Sequence, residues 1–256
     1  MNKKETKENK GLRWFDGKRL VASLRSGDYA HAGEEIAIIQ CFDYLTKFSQ
    51  QKILDAGCGQ GGTAKFIQDQ GWGLVTGVDI EEQSIAFAKE KYPDVHFETS
   101  DIVSVQKIFP SSTFDLIILF NAFYAFPDQL SALKALRLVA HKDTELMIFE
   151  YTDLTAGHNP LYRDDDPKKT FQPIRLEKIE AILSETGWQK ILFIPLNDEY
   201  EKWYTEFFEK IKIKKNKLIE EFGEVQYGKA FKRYSEILGA IRTKQLGGCI
   251  LKAKAV

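Results

Sequence analysis

The residues best suited to chemistry form one run, Ile53-Leu54-Asp55-Ala56-Gly57-Cys58-Gly59-Gln60-Gly61-Gly62. A short apolar segment ends in a carboxylate, and the glycines after it permit a tight turn and close approach of the backbone to a ligand. If a helix follows, its first unpaired N–H groups face the same ligand. Three more strand ends repeat the theme. Asp79 closes Leu74-Val75-Thr76-Gly77-Val78, where a carboxylate either accepts from ribose hydroxyls or caps the next helix. Asp101, in Thr99-Ser100-Asp101-Ile102, either accepts from the exocyclic amine of a purine or caps a turn. Phe120-Asn121-Ala122 ends a fourth apolar run. Together these residues suit a nucleoside carrying polar groups. The glycine run by itself also suits dinucleotide enzymes, although its spacing is GxGxG and not GxGxxG.

A second set of residues is placed to cover such a site. Tyr29 and His31 lie between Gly27 and Gly33, a glycine-hinged segment that suits a lid or simply the entry to a helix. They are the candidate catalytic residues. Tyr124, His158, Trp203 and Tyr204 are the candidate acceptor contacts. Each has a plainer role open to it: Tyr124 packing under a helix, His158 solvated on a loop, Trp203 and Tyr204 in a core. A tryptophan or tyrosine facing the site would stack on a cationic amine. The acidic run at residues 164–166 has no metal-ligand spacing, and no Cys-x-x-Cys pair suggests zinc, so no metal is expected.

These residues need a frame that brings strand ends to one edge. Short apolar runs predict strands over residues 52–56, 74–78, 95–98, 114–120, 145–151, 189–196 and 247–254. Helical spacing predicts helices over 34–48, 63–70, 81–91, 128–140 and 176–185, and across an insertion at 197–244. In the first of these Ile36, Ile38, Ile39, Phe42, Leu45 and Phe48 are expected to face the core. The run Phe114–Phe120 is apolar on both faces, as in a parallel strand covered on two sides. Alternating strands and helices predict a doubly wound, mostly parallel α/β sheet of seven strands with helices on both faces. Residues 152–173 are polar and predict a long loop; residues 1–10 predict a solvated tail.

Composition narrows the function classes. Lys and Arg total 36 against 37 Asp and Glu, without the basic excess of a phosphate-gripping nucleic-acid binder. The lysine run at Lys210, Lys212, Lys214, Lys215 and Lys217 is flanked by glutamates and reads as a solvated face. No stretch approaches the ~20 apolar residues of a membrane span. Three widely spaced cysteines suit a reducing cytoplasm.

In order along the chain, Leu54-Asp55-Ala56-Gly57-Cys58-Gly59-Gln60-Gly61, Gly77-Val78-Asp79-Ile80, Ser100-Asp101-Ile102 and Phe114-Asp115-Leu116-Ile117 resemble the class I S-adenosylmethionine-dependent methyltransferase family, of the small-molecule type. The resemblance covers roughly residues 34–151. It implies S-adenosylmethionine as cofactor, with Asp55, Gly57, Cys58, Gly59 and Gly61 at its methionine end. It places Asp79 and Ile80 at the ribose, Ser100, Asp101 and Ile102 at the adenine, and Phe120 and Asn121 beside them. It implies a last strand inserted antiparallel, with the helical insertion before it roofing a pocket for a small-molecule acceptor. It also implies that residues 1–33 form a tail and lid, with the methyltransferase domain over 34–256. An RNA or protein methyltransferase and a non-catalytic binder are the other readings. Asn121-Ala122-Phe123-Tyr124 lacks the proline pair that nucleic-acid amino-methylating members often carry. Neither the acceptor nor the oligomeric state is legible. If the lid reading holds, S-adenosylhomocysteine slows hydrogen exchange across residues 24–33; protection of 57–61 without protection of 24–33 would reject it.

Overall fold

The computed structural model describes residues 12, 14–48, 50–161 and 171–256. The expectations for residues 1–10 and for the acidic run 164–166 fall outside them. The chain opens with α1 (Phe15–Ala22) and α2 (Glu34–Phe42). Alternation follows: β1 (Lys52–Ala56), α3 (Gly62–Asp69), β2 (Leu74–Asp79), α4 (Glu82–Lys91), β3 (His96–Thr99), β4 (Phe114–Phe120), α5 (Gln129–Val139) and β5 (Ala140–Asp153). The last part holds β6 (Ile174–Arg175), α6 (Leu176–Glu185), β7 (Trp188–Pro195), α7 (Asn197–Ile213), α8 (Lys215–Phe222), α9 (Glu224–Arg242) and β8 (Leu246–Ala255).

Seven strands lie in the order β3-β2-β1-β4-β5-β8-β7, and the two-residue β6 adds to the end of β5. The strands from β3 to β5 are parallel, whereas β8 runs antiparallel to both β5 and β7. The chain therefore reverses its direction of travel across the sheet between β1 and β4. Helices leaving neighbouring strands there pass to opposite faces, and a crevice opens at the carboxyl ends. The core divides accordingly. One layer includes Ile53, Ile118, Phe149 and Tyr200, and the other includes Leu54, Ile117, Leu136 and Trp188. Adjacent residues of β1 and β4 thus alternate between the two layers, as strand geometry requires.

Several elements differ from expectation for identifiable reasons. The helix expected over 34–48 stops at Phe42; it buries Ala37, Ile38, Cys41 and Phe42, leaving Ile36, Ile39 and Phe48 exposed. Its apolar residues surround the axis, so the sequence names no unique inward face. Strand β5 begins at Ala140 and runs through Asp153, longer than its apolar stretch, because pairing with β4 and β8 supplies hydrogen bonds to polar residues as well. The insertion is three helices, broken at Lys214 and at Gly223, whose φ of 84° interrupts the helix. Helix α1, within the expected tail and lid, buries Gly17, Leu20 and Val21.

Two glycines give a test of this packing. A Cβ at Gly248 of β8 would lie 2.1 Å from ring carbons of the fully buried Tyr200, whereas a Cβ at Gly239 of α9 meets nothing within 4 Å. Gly248→Ala is expected to destabilise by about 1–3 kcal/mol through overpacking. Gly239→Ala is expected to stabilise by roughly 0.5–1 kcal/mol through helix propensity. Urea unfolding of both variants checks the opposite signs.

Candidate functional site

The carboxyl ends of the parallel strands open on a cavity of about 1500 Å³. Its base is the glycine turn after β1. Gly57, Gly59 and Gly61 have φ of 86°, 55° and 85°, a region that costs other residues dearly. The turn is tied to β2: Gly57 and Cys58 donate N–H to the Val78 carbonyl at 2.7 and 3.0 Å. Gly57, Cys58 and Gly59 line the cavity. Gly61 instead caps α3 against Phe97, where a Cβ would come within 2.6 Å of the ring. At Gly57 a Cβ would meet that of Ala122 at 2.5 Å, so the glycine is needed for the join between β1 and β4 as well as for the cavity.

Asp55 ends β1 in the cavity wall, 1% exposed. Its Oδ2 is buried without a hydrogen-bond partner among the described residues. Burial, and secondarily the charge of Asp79, push its pKa up to about 8. Asp79 is in contrast fully engaged. Its Oδ2 accepts from Gly59 N–H at 2.8 Å, its Oδ1 from Glu81 N–H at 2.9 Å, and both face Lys18 Nζ at 3.1–3.2 Å. Lys18 belongs to α1 and also pairs with Glu81 at 3.4 Å, while Phe15 N–H donates to Glu81 Oε1 at 2.5 Å. Thus α1 is fastened to the acidic end of β2. Ile80, Ser100, Asp101 and Ile102 line the adjoining wall. Asp101 lines the cavity and caps the following turn through Val103 N–H at 3.2 Å, the plainer of its two expected roles.

Tyr29 and His31 line the cavity beside Phe120 and Asn121. The Nδ1 of His31 lies 2.9 Å from the Ala32 carbonyl, which only accepts, so Nδ1 carries the proton. Nε2 then accepts from the Thr63 hydroxyl at 3.1 Å. Burial lowers the His31 pKa to about 4, so the ring is neutral near pH 7 and its lone pair is used by Thr63. The Tyr29 hydroxyl donates to Glu35 at 3.2 Å, and its pKa is raised by burial and by that carboxylate. The amide of Asn121 accepts from Ala32 N–H and donates to Glu150 and to the Tyr200 hydroxyl.

Tyr124 stands in the wall with Tyr151 and Phe171, their ring centroids 5.2–5.5 Å apart. The other three acceptor candidates lie off the cavity. Tyr204 is behind Tyr151, hydroxyl to hydroxyl. Trp203 packs on Gly33 and Phe149. His158 is exposed, with Nδ1 turned to the Thr155 carbonyl. From the insertion it is α9 that reaches the cavity, through Lys229, Arg233, Tyr234 and Ile237. Sequence reasoning also missed Lys18, Glu81 and Glu150. For Lys18 a signal existed, since Leu20, Val21 and Leu24 have helical spacing and are buried. For Glu150 there was none, because nothing local distinguishes a carboxylate that meets its partners only across the sheet.

A doubly wound sheet with a glycine turn and acidic strand ends at its point of reversal defines an α/β fold with a cavity at the carboxyl edge of its strands, where such sheets bind ligands. Residues 47–206 match the family model described as a methyltransferase domain, more than half of the chain. Phosphoethanolamine N-methyltransferase 3 of Arabidopsis thaliana is 22% identical over 208 residues, covering 80% of this chain and 41% of that protein. A trans-aconitate 2-methyltransferase of Agrobacterium fabrum is 26% identical over 98 residues, 37% of each chain. Among solved structures, a Haemonchus contortus phosphoethanolamine N-methyltransferase 2 in complex with phosphomonomethylethanolamine and S-adenosylhomocysteine superposes with a TM-score of 0.80 at 19% identity, covering 93% of this chain and 57% of that one. A cyclopropane synthase of Mycobacterium tuberculosis gives 0.78 at 17% identity, covering 99% and 100%. The chain belongs to the methyltransferase-domain family, within the class I S-adenosylmethionine-dependent methyltransferases. It spans about four-tenths of the length of the plant relatives it matches.

The buried neutral histidine makes a prediction with a definite sign. Its folded pKa lies below the ordinary value of 6.5, so between pH 6.5 and 4 the unfolded chain binds the extra proton and stability falls with pH. His31→Gln is expected to remove up to about 3 kcal/mol of that acid-side loss. Asp55 and Glu150, raised by burial to about 8 and about 7, slope the opposite way, so the effect is read as a difference between parent and variant. Denaturant titrations at several pH values check it; parallel stability curves for the two proteins would refute it.

Proposed function

We propose that this chain binds S-adenosylmethionine along the carboxyl edge of β1, β2 and the turn after β3, and methylates a small molecule in the chamber beyond. The observation that carries the reading is Asp55. A buried carboxylate oxygen without a partner, in the wall of a cavity, calls for a cationic hydrogen-bond donor, and the ammonium at the methionine end of the cofactor supplies one. The remaining walls fit the rest of the group. Asp79 stands at the strand end expected to meet the ribose, with Lys18 as the side-chain partner that ribose hydroxyls would replace, Ile80 is 63% exposed and lies along the wall as an apolar surface, and Asp101 offers an acceptor for an amine. The bound cofactor supplies a methyl group on a sulfonium, already primed for in-line displacement. The protein is then left to position the acceptor and keep water out.

The cover is built from both ends of the chain. Lys18 fastens α1 over the acidic strand end, and the segment through Tyr29 and His31 lies against Phe120. This supports a lid role for the described part of the N-terminal segment, residues 14–33, within the expected 1–33. His31, oriented by Thr63 and by the Ala32 carbonyl, is read as a positioning residue, and Tyr29 remains the candidate beside the reacting centre. Helix α9 closes the far side. A concave site lined by aromatic side chains and a formal charge of -1 favour a small acceptor over a nucleic acid. Relatives whose names specify phosphoethanolamine and trans-aconitate support the same class. No helix among the described residues is long and apolar enough to cross a membrane. Three free, buried thiols suit a cytoplasmic setting.

Proton linkage tests the Asp55 assignment. A cation beside this carboxyl favours its ionised form, so affinity for S-adenosylhomocysteine is expected to rise from pH 6 to about 8, with proton release on binding. Asp55→Asn should flatten the profile and weaken binding at pH 8 by at least about tenfold, the loss of one charge-assisted bond. Calorimetry in buffers of differing ionisation enthalpy measures both. Binding without proton release and with a flat profile overturns the assignment. Transfer of labelled methyl groups to small acceptors, with RNA and protein acceptors alongside, tests the activity; transfer to a macromolecule alone refutes the small-molecule reading.

A further inference from the structure

The charges lining the cavity are partitioned. The wall at the ends of β1 to β3 carries Asp55, Asp79, Glu81 and Asp101, with Asp28 from the N-terminal segment, and its cation is Lys18, already paired with Asp79 and Glu81. The opposite wall carries cations: Lys229 and Arg233 from α9, and Arg175 and Lys178 at the start of α6. The one carboxylate lining that region among the described residues, Asp128, is occupied as the cap of α5, accepting from Ser131 N–H and Oγ–H at 2.9 and 2.7 Å.

Within the basic wall Arg233 stands out. Its guanidinium lies 4.5 Å from the centroid of the Phe171 ring, which itself packs on Tyr124 and Tyr151. A guanidinium held by a cation–π contact keeps its five N–H donors for other partners, and their planar fork suits two oxygens of one anionic group. Arg175 is different: it donates to Glu177 and to the Ala156 carbonyl, so its charge is largely answered. Arg25, buried over the Phe207 ring, is likewise answered, by Glu34 at 3.6 Å.

We infer that the acceptor half of the cavity contains an anion subsite centred on Arg233, and that the acceptor is an organic anion, a phosphate or carboxylate, whose body lies against Tyr124, Tyr151 and Phe171. This rests on the methyltransferase reading and names its substrate class. Arg233 is thus a specificity-determining residue that holds the acceptor by its charged end, leaving the other end to meet the methyl group.

The experiment titrates the protein with phenylphosphonate, benzoate and benzyl alcohol, each with and without saturating S-adenosylhomocysteine. Phenylphosphonate or benzoate should bind more tightly than neutral benzyl alcohol, and the order of the two anions tells phosphate from carboxylate. Arg233→Gln should weaken the anions by roughly ten- to a hundredfold, leave benzyl alcohol unchanged, and leave S-adenosylhomocysteine affinity intact. Arg233→Lys should recover part of the loss, and a thermal melt of each variant confirms the fold. Anions that bind no better than benzyl alcohol, or an affinity that Arg233→Gln does not change, overturn the subsite. Failure of S-adenosylhomocysteine to bind refutes the cofactor assignment, which the anion titration reads independently.

Discussion

The structure depends on one buried polar junction, the Asn121 side chain against Glu150. Asn121 follows β4 with φ of 46°, a conformation tolerated because its amide is fixed on both ends. Its oxygen accepts from Ala32 in the N-terminal segment, and its nitrogen donates to Glu150 on β5 and to Tyr200 on α7. Glu150 is fully buried and takes further N–H groups from Tyr124 at 2.9 Å and Tyr151 at 2.8 Å. Burial raises its pKa to about 7, so it sits near the balance between charged and neutral forms. Such a group is tolerable only when its oxygens are satisfied. The requirement fixes the N-terminal segment, two central strands, the aromatic wall and the insertion relative to one another.

That junction explains why the cavity has two halves that differ in character. The side proposed for the cofactor is made by strand ends and a glycine turn, backbone features held by the sheet ladder. Their tolerance is narrow, since at Gly57 the β1 turn and the chain after β4 approach too closely for any side chain. The side proposed for the acceptor is made by side chains from β5, from Phe171 and from α9, elements joined by aromatic contacts. Aromatic packing fixes position with few rotatable bonds, and it can be varied without disturbing the sheet. A fold that serves many acceptors can therefore retain one half and rebuild the other.

The N-terminal segment links the halves. Lys18 reaches the acidic end of β2, Gly33 packs under Trp203 of α7, and Ala32 reaches Asn121. His31, neutral and hydrogen-bonded at both nitrogens, lies among Tyr29, Phe120 and Phe149. It acts as a polar strut within an apolar cluster, which accounts for its placement without proton transfer.

The alternation of apolar runs and helical periods determined the sheet, its strands and the edge on which Asp55, Gly57, Asp79 and Asp101 converge. These features are local: each strand end announces itself by an apolar run closing in glycine or an acid, and parallel topology then gathers the ends. The acceptor wall was illegible for the opposite reason. Trp203 and Tyr204 share a helix with Tyr200, and no periodicity distinguishes an aromatic facing the core from one facing a cavity; only the docking of α7 on β8 turned them inward. Helix α9 gained the cavity face because α8 and Gly223 returned the chain across α7, placing Arg233 over Phe171, far from it in sequence. Asp79 was legible as an acid at a strand end, and the helical spacing of Leu20, Val21 and Leu24 marked the helix of Lys18, but the pairing of the two was not legible, because an ion pair between segments 61 residues apart leaves no mark in either. The sequence by itself determined where a nucleoside-type ligand meets the sheet, since that depends on backbone conformation encoded residue by residue. Only the tertiary structure decided what faces the acceptor, since that depends on side chains whose neighbours come from elsewhere in the chain.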